Sequence, residues 1–248
     1  MSRSNQTELI NPAKRFIDFA GGEGGLRYFD KTLGEKGENV AIELPYKFFV
    51  LDRVSQVTGG VDVDGGYVGF WSNAVKNLTT QKLIVRSKRG VEVEGFYKDI
   101  KGYTGVKFMT GLYVATKNED GEFQIEFLKL KGSSLTAWIE FTKAHRNIYE
   151  GAFGITGVAE RKKGANKYYE PVFEHYAKVS EEAESVAQLL DVQLQEYLTA
   201  YFAQAGIAEV EQAYSGNGHH EAFYDNEPEM PMGDAYEAPE MDNDSIPF

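Results

Sequence analysis

Residues 40–57, VAIELPYKFFVLDRVSQV, decide the fold class of this chain. They are rich in β-branched and aromatic residues, which fit the pleated surface of a strand. Further along, alternating runs at 91–94 (VEVE) and 123–127 (FQIEF) are separated by glycine-containing turns at short intervals. Many short strands at such spacing are typical of an all-β sandwich or barrel. We therefore expect a mainly β body.

Two hairpin turns are predicted within this β region. The segment 118–121, NEDG, separates Tyr113-Val114 from the run at 123–127, and Asp-Gly between two such runs is a strong turn signal. A second turn is predicted at 161–167, RKKGANK, in the last hairpin. A hairpin joins two antiparallel strands, so both segments belong to the expected sheet.

One helix is predicted inside the β region. Ser133 or Ser134 can cap its N-terminus. Its packing positions share one helical face, namely Leu135, Trp138, Ile139 and Thr142. A single helix between the third and fourth strands of a barrel matches the order of the OB-fold (the oligonucleotide/oligosaccharide-binding fold). We therefore expect residues 40–179 to form an OB-like barrel with one inserted helix.

A second helix is predicted over residues 180–206. Ser180 is a suitable N-cap, glutamates occupy the first turn, and Gly206 supplies a C-terminal stop. The apolar positions keep a 3.6-residue rhythm: Val186, Leu189, Leu190, Leu194, Tyr197, Leu198, Tyr201, Phe202 and Ala205. This stripe is expected to pack on the barrel, with self-association as the alternative.

The two ends of the chain differ from its middle. Residues 1–39 are polar and glycine-rich, and we interpret them as a partly ordered extension that Phe16, Ile17 and Phe19 could anchor. Residues 207–248 are dominated by Gly, Asn, Pro, Met, Asp and Glu. Such a composition cannot bury enough apolar surface to offset the entropy of ordering, so this tail is expected to be disordered.

Charge is divided unevenly along the 248 residues. The net charge is −12, from 26 basic and 38 acidic side chains. Residues 1–179 hold all 26 basic and 22 acidic residues, a net of +4, whereas 180–248 hold 16 acidic residues and no basic ones. This asymmetry indicates either a nucleic-acid-binding body with an acidic tail or a neutral domain with a solubilising tail.

The tail ends with 241–248, MDNDSIPF. This ending resembles that of the bacterial-type single-stranded DNA-binding proteins, whose acidic tails close with aspartates followed by Ile-Pro-Phe. Asp242 and Asp244 match the acidic part, and Ile246, Pro247 and Phe248 match the terminal tripeptide, while Asn243 and Ser245 depart from a pure aspartate run. A terminal Phe offers a ring for an apolar pocket and a carboxylate for a basic side chain.

The resemblance implies a function and partners. It implies a protein that covers single-stranded DNA in replication, recombination and repair and recruits partner enzymes through the tip of its tail. The N-terminus carries no apolar run long enough for a signal peptide, and no stretch approaches the ~20 apolar residues of a spanning helix, so we expect a cytoplasmic protein of a bacterial cell that does not bind a membrane. The long β region and the short linker look more like the OB-fold single-stranded DNA-binding proteins that bacteriophages encode.

Binding single strands without sequence preference requires cations along the phosphates and exposed aromatic faces for the bases. The body interleaves both in its predicted hairpins. The candidate DNA-binding residues are Trp71, Arg86, Lys88, Arg89, Tyr97, Lys98, Lys101, Tyr103, Lys107, Arg161, Lys162, Lys163, Lys167 and Tyr168. About half of the aromatic residues of a barrel fill its core, and we assign Phe48, Phe70, Phe123, Phe127 and Trp138 to packing. Phe96 and Tyr97 are interpreted as neighbours in one strand, where alternation sends one inward.

Other classes of function find less support in the sequence. Cysteine is absent, which excludes a disulfide framework, a zinc ribbon and a thiol nucleophile. No catalytic set is visible, and no cofactor or resident metal is expected. The alternatives left open are a strand-annealing or recombination mediator protein and a metal-dependent nuclease that uses Asp62 and Asp64. Oligomeric state is not predicted, and a homo-oligomer remains open.

Overall fold

The computed structural model of the protein describes residues 9–204. The strands in this range are β1 (Phe16–Ala20), β2 (Gly25–Asp30), β3 (Glu38–Ile42), β4 (Tyr46–Val63), β5 (Gly66–Ser72), β6 (Leu83–Ser87), β7 (Gly90–Gly95), β8 (Val106–Lys117), β9 (Phe123–Lys131), β10 (Ala152–Lys163) and β11 (Asn166–Tyr176). The helices are α1 (Tyr97–Ile100), α2 (Ser133–Ala144) and α3 (Glu181–Gln204). The prediction of a mainly β body followed by a helix is confirmed.

The strands form one mixed sheet organised around β4. The main path runs β3–β2–β1–β9–β8–β4–β5–β6–β7, and β1 pairs with β9 in parallel. At its N-terminal end β4 also pairs with β10, which pairs in turn with β11. The register of β4 against β8 shifts between Val50 and Asp52, which marks a bulge, and bulges bend a strand. A single long strand therefore serves both parts of the sheet.

The inner face of the sheet holds a core that α2 closes. Phe48 and Val50 of β4 alternate with outward residues and meet the ring of Phe153, whose centroid is 6.3 Å from that of Phe48. The predicted face of α2 packs here, because Leu135, Trp138 and Thr142 are buried and Ile139 is partly buried. The packing assigned to Phe48, Phe70, Phe127 and Trp138 is confirmed by their burial, and Phe123 packs partly buried against the ring of Phe49.

The outer face of the same strands is partly covered by α3. Ser180 caps the helix as predicted, since its Oγ accepts a hydrogen bond from the Ala183 N–H at 3.2 Å. The buried side chains of α3 pack on the sheet and comprise Ala187, Leu194, Leu198 and Phe202. The expected docking of this helix on the body is therefore confirmed. Gly206, its predicted stop, lies outside the described residues.

A polar contact fixes α3 to the sheet and to the loop after β5. Asp52, a buried carboxylate of β4, forms an ion pair with Lys76 and accepts a hydrogen bond from Gln195 Nε2 at 3.0 Å. Nearby, the Ala74 N–H donates to Tyr201 Oη at 2.9 Å. The C-terminal half of α3 is thereby held at a defined place on the outer face.

The N-terminal segment is part of the sheet rather than an appendage. Ile17 and Phe19 are buried in the inner core, as the anchoring prediction requires, whereas Phe16 points to the other face and is exposed. β1 pairs with both β9 and β2, and β2 pairs with β3. The domain boundary predicted at residue 40 falls inside β3. The segment before it belongs to the same sheet as the body, because β3 pairs with β2, β2 with β1 and β1 with β9.

The N-cap of α2 differs from the sequence prediction. The N-cap of α2 is Gly132 at φ = 55°, not Ser133 or Ser134, and no side chain caps the helix. A left-handed residue at this position favours glycine and fixes the direction in which the helix leaves β9. Ser134 instead accepts a hydrogen bond from the Lys131 N–H at 3.1 Å and donates to the Lys131 carbonyl at 2.9 Å.

Both predicted hairpins form, but the turn was predicted correctly only in the first of them. The turn at 118–121 is as expected, and the Gly121 N–H donates to the Asn118 carbonyl at 3.0 Å. The last turn is shorter than predicted, because β10 extends to Lys163 and β11 begins at Asn166. Gly164 at φ = 59° makes this two-residue connection possible.

Of the three helices in residues 9–204, none is both long enough and apolar enough to span a membrane.

Candidate nucleic-acid interface

A groove opens on the outer face of the sheet next to α3. Its lining comes from β1, β4, β5, β8 and β9, and its volume is about 280 Å³. The lining residues are Phe16, Gln56, Val57, Thr58, Trp71, Ser72, Met109, Phe127, Lys129 and Lys131. Met109 and Phe127 also belong to the cluster on which α3 packs, so the groove adjoins the covered half of the same face. We call it the outer groove.

One cross-strand row of the outer face, which enters the outer groove at Trp71 and Thr58, combines an exposed indole with two cations. Trp71 of β5 lies opposite Thr58 of β4, and Thr58 lies opposite Lys107 of β8. On the other side Trp71 lies opposite Arg86 of β6. Directly paired residues share a face, and neighbouring strands lie about 4.8 Å apart, so both cations are within reach of a strand that stacks on Trp71.

Further exposed aromatic rings continue this face in two directions. Tyr67 lies on the same face of β5 as Trp71, four positions before it along the strand. The exposed fraction is 53% for Tyr67 and 49% for Trp71. The ring of Tyr67 covers Gly60, where a Cβ would lie 2.6 Å from Tyr67 Cζ. Phe16, which is 44% exposed, lies at the β1 side of the outer groove. Three rings are thus available for stacking with bases.

Phe127 forms part of the floor of the outer groove. Its ring lies over Gly111 of β8, where a Cβ would come within 2.0 Å of Phe127 Cζ. The same ring contacts Phe16 at a centroid distance of 5.7 Å. The absence of a side chain at Gly111 therefore leaves room for the Phe127 ring at the place where it contacts Phe16.

The cations of β9 form a cluster with a single carboxylate in the outer groove. Asp18 Oδ1 is 3.0 Å from Lys131 Nζ, and Asp18 Oδ2 is 3.4 Å from Lys129 Nζ. Lys129 Nζ also lies 5.7 Å from the centroid of the Phe16 ring, in a cation–π arrangement. Burial raises the pKa of Asp18, but the positive charges of Lys129 and Lys131 outweigh it and hold this pKa below its ordinary value. We call these three residues the Asp18 cluster.

The sequence-predicted residues divide among several places. The structure brings Trp71, Arg86 and Lys107 together on the outer face. Arg89 and Tyr103 instead line a separate concavity of about 400 Å³ together with Phe70, on the opposite face of the β4–β5 ribbon from Trp71. Arg89 is paired there with Glu92, with N–O distances of 3.2 to 3.4 Å, and Tyr103 is 38% exposed.

The segment around Tyr97 is a short helix, which corrects the strand interpretation of Phe96 and Tyr97. Phe96 is the N-cap of α1, and Tyr97 is half-buried with its ring 5.2 Å from that of Phe108. Ile100 anchors this turn in the cluster beneath β5–β7. The cations predicted around it are exposed, namely Lys88, Lys98 and Lys101.

The basic residues of the last hairpin are largely engaged with neighbouring acids. Arg161 Nε is 2.8 Å from Glu170 Oε2, and Lys167 Nζ is 2.6 Å from Glu160 Oε2. The hydrogen bond to Glu160 is the main cause that raises the pKa of Lys167 to about 12. These cross-strand pairs stabilise the strands and explain why the predicted turn is shorter. Lys162 and Lys163 are exposed, and Tyr168 is half-buried.

Four aromatic or basic residues of this face are not among the candidates predicted from the sequence. Lys129 and Lys131 alternate with the buried Leu128 and Leu130, a two-residue period that places both lysines on the opposite face. Tyr67 carries a similar signal, because Tyr67, Gly69 and Trp71 are two positions apart and therefore lie on one face of β5. The position of Phe16 carried no such signal, since it depends on the parallel pairing of β1 with β9, which brings together residues 111 positions apart.

The aspartates considered for a nuclease lie at the tip of the β4–β5 hairpin. Asp62 is near the end of β4, and Asp64 forms the turn with φ = 50°. Within residues 9–204, no group of three or more His, Asp or Glu side chains is arranged to hold a metal ion.

The proposed partner-binding tip, Asp242, Asp244, Ile246, Pro247 and Phe248, lies outside the described residues, as does the rest of the tail from residue 207. Comparison of the chain with protein-family models, with curated proteins and with solved structures finds no match.

Proposed function

We propose that this protein binds single-stranded DNA without sequence preference and protects it during replication, recombination and repair. The observation that carries the proposal is the row of Arg86, Trp71, Thr58 and Lys107, in which an exposed indole stands between two cations. Every base offers an aromatic face, so stacking on such a ring is tolerant of sequence, while cations follow the phosphates. Proteins of this kind are encoded by bacteria and bacteriophages.

The strand order supports the assignment of an OB-like barrel. β4 pairs with β8 and β10, β8 pairs with β9, and β10 pairs with β11, while α2 connects β9 to β10. These pairings match four of the five neighbour contacts of a five-stranded OB barrel, with β5–β7 inserted after its first strand. The fifth contact differs, because β9 pairs with β1 at the edge where β11, as the fifth strand, would close the barrel. OB-folds bind oligonucleotides on the face of strands 2–3 and with the adjoining loops. The outer groove lies on the corresponding face of β8 and β9.

The charges of the outer face support the same function. Lys107, Lys129, Lys131 and Arg86 all lie on this side of the sheet. A protein with net charge −12 can bind a polyanion when its cations are gathered on one face, because screening limits the reach of distant charges to about 10 Å.

A titration with a fluorescent oligothymidylate tests the proposal. Tight binding that weakens steeply as salt is added is expected, because phosphate contacts release counterions. The chain offers an internal probe, since Trp71 is exposed and Trp138, the other tryptophan, is buried. Stacking should quench the fluorescence of Trp71. The proposal fails if neither salt-sensitive binding nor quenching is observed with single strands.

We further propose that the tip of the tail recruits partner enzymes. The support is the terminal Ile246-Pro247-Phe248 on an acidic segment. A chain that ends at residue 240 should bind DNA as tightly as the full chain or more tightly, while losing pull-down of replication and repair enzymes from a host lysate. A variant Phe248→Ala should lose the same partners. Weaker DNA binding after truncation would contradict this role for the tail.

A further inference from the structure

The Asp18 cluster places an anion in the most basic part of the outer groove. Asp18 lies opposite Lys129 in the parallel β1–β9 pair and opposite Arg27 in the antiparallel β1–β2 pair. Its carboxylate oxygens are 3.0 Å and 3.4 Å from the two lysine Nζ atoms. Two of these cations, Lys129 and Lys131, therefore contact the carboxylate, whereas Arg27 is paired with Glu23 at 3.3 Å.

The arrangement of the two lysines suits an oxyanion held between them. Lys129 and Lys131 are two positions apart on β9, so both side chains rise from the same face about 7 Å apart at their Cα atoms. Each ammonium group has three N–H donors, and the carboxylate of Asp18 does not use all of them. Both lysines line the outer groove beside Phe16, so a phosphate held here would belong to a nucleotide whose base can stack on that ring.

We propose that Lys129 and Lys131 form one phosphate-binding point of the outer groove and that Asp18 limits its strength by occupying both lysines in the free protein. The inference rests on the proposed single-strand binding and deepens it. The carboxylate holds the two ammonium groups close together, and it also subtracts one charge from the site. An incoming phosphate must share the lysines with Asp18 or displace it, which keeps binding at this point weak and reversible.

The test compares four full-length variants with the wild-type chain. Asp18→Asn removes the charge and keeps the shape of the side chain. Glu140→Gln is a matched control, because Glu140 is an exposed acid on α2 that is paired with Lys143 at 2.7 Å and lies away from the outer groove. The third protein combines Asp18→Asn with Lys129→Gln and Lys131→Gln, and it is compared with the two lysine substitutions alone.

Binding of a fluorescent oligothymidylate is measured across a range of salt concentrations. Asp18→Asn should tighten binding about threefold to tenfold at low salt, the effect of one charge about 4 Å from a phosphate when solvent screens the pair as strongly as bulk water does. The slope of log K against log salt should become steeper by about 0.7, the value for one further phosphate contact on a single strand. Glu140→Gln should change neither quantity, and the gain should vanish when both lysines are replaced.

Two results would overturn the inference. If the wild-type chain binds and Asp18→Asn binds equally or more weakly while its thermal melt remains cooperative, Asp18 positions the lysines rather than limiting them. If Asp18→Asn tightens binding even without Lys129 and Lys131, the effect is one of general charge and no phosphate-binding point exists there. Absence of single-strand binding by the wild-type chain would refute the proposed function itself, and the inference would fall with it.

Discussion

Trp71 lies directly opposite Arg86 across the β5–β6 pair, so an exposed indole and a guanidinium share the outer face of the sheet. Their neighbours in the same row, Thr58 and Lys107, extend the surface toward the outer groove. The basic and aromatic elements of the proposed interface therefore come from strands whose register fixes their spacing, rather than from flexible loops.

Replacing Trp71 by alanine should weaken single-strand binding about 5- to 150-fold, because stacking of one base on an aromatic ring contributes about 1–3 kcal/mol. Quenching of tryptophan fluorescence by oligothymidylate should also disappear, since Trp138 is buried. Tyr149→Ala is the control, because Tyr149 is exposed to a similar degree, 45%, in the loop between α2 and β10. Quenching that persists in Trp71→Ala would mean that DNA reaches Trp138 or alters its surroundings.

Replacing Gly111 by alanine should destabilise the protein by about 1–3 kcal/mol, the usual cost of overpacking. The new Cβ would approach Phe127 Cζ to 2.0 Å, and the ring could not keep its position beneath Phe16. Urea denaturation measures the change in the free energy of unfolding. Gly157→Ala is a suitable comparison, because nothing lies within 4 Å of a Cβ at that position. Equal stability of Gly111→Ala and the wild type would contradict the packing described for the groove floor.

Replacing Lys76 by methionine should lower the free energy of unfolding by about 3 kcal/mol, because removal of one partner leaves the buried carboxylate of Asp52 uncompensated. The contrasting variant is Lys143→Met, which removes the exposed partner of Glu140 and should cost less than about 1 kcal/mol. Chemical denaturation of both proteins provides the measurement. A similar small loss in both would show that the ion pair between Asp52 and Lys76 contributes little to the stability of the fold.

The lowered pKa of Asp18 predicts how its contribution to stability depends on pH. A carboxyl group whose pKa is lower in the folded than in the unfolded state stabilises the fold above its unfolded value, close to 3.8. That contribution is lost as the pH falls from there through the lower folded pKa. Thermal melts of the wild type and of Asp18→Asn should therefore differ most near neutral pH and converge in strong acid. A difference that grows on acidification would contradict this assignment.

The elements that depend on local sequence could be predicted. The alternation at 123–127, the face of α2 and the Ser180 cap each depend on residues a few positions apart, and the structure confirms them. The last turn was predicted too long, because the segment 161–167, with five polar residues around Gly164 and Ala165, suggested a turn where paired charges extend the strands.

The composition of the outer face could be predicted only in part. Trp71, Arg86 and Lys107 were recognised as interleaved aromatic and basic residues, but their common face depends on the pairing of four strands. Phe16 and Asp18 join the groove through the parallel pair of β1 with β9, a contact between residues more than 100 positions apart. Long-range pairing of this kind leaves no periodic trace in either segment, so sequence patterns alone could not reveal it.

The length of β4 has a consequence for the way the whole body unfolds. This one strand contributes Phe48 to the inner core, Phe49 to the cluster under α3 and Val57 to the cluster beneath β5–β7. The three hydrophobic clusters therefore have a common backbone ladder, and none can lose that ladder without exposing the other two. We expect a single cooperative transition with coincident probes, and no proteolytic fragment of the body that folds by itself.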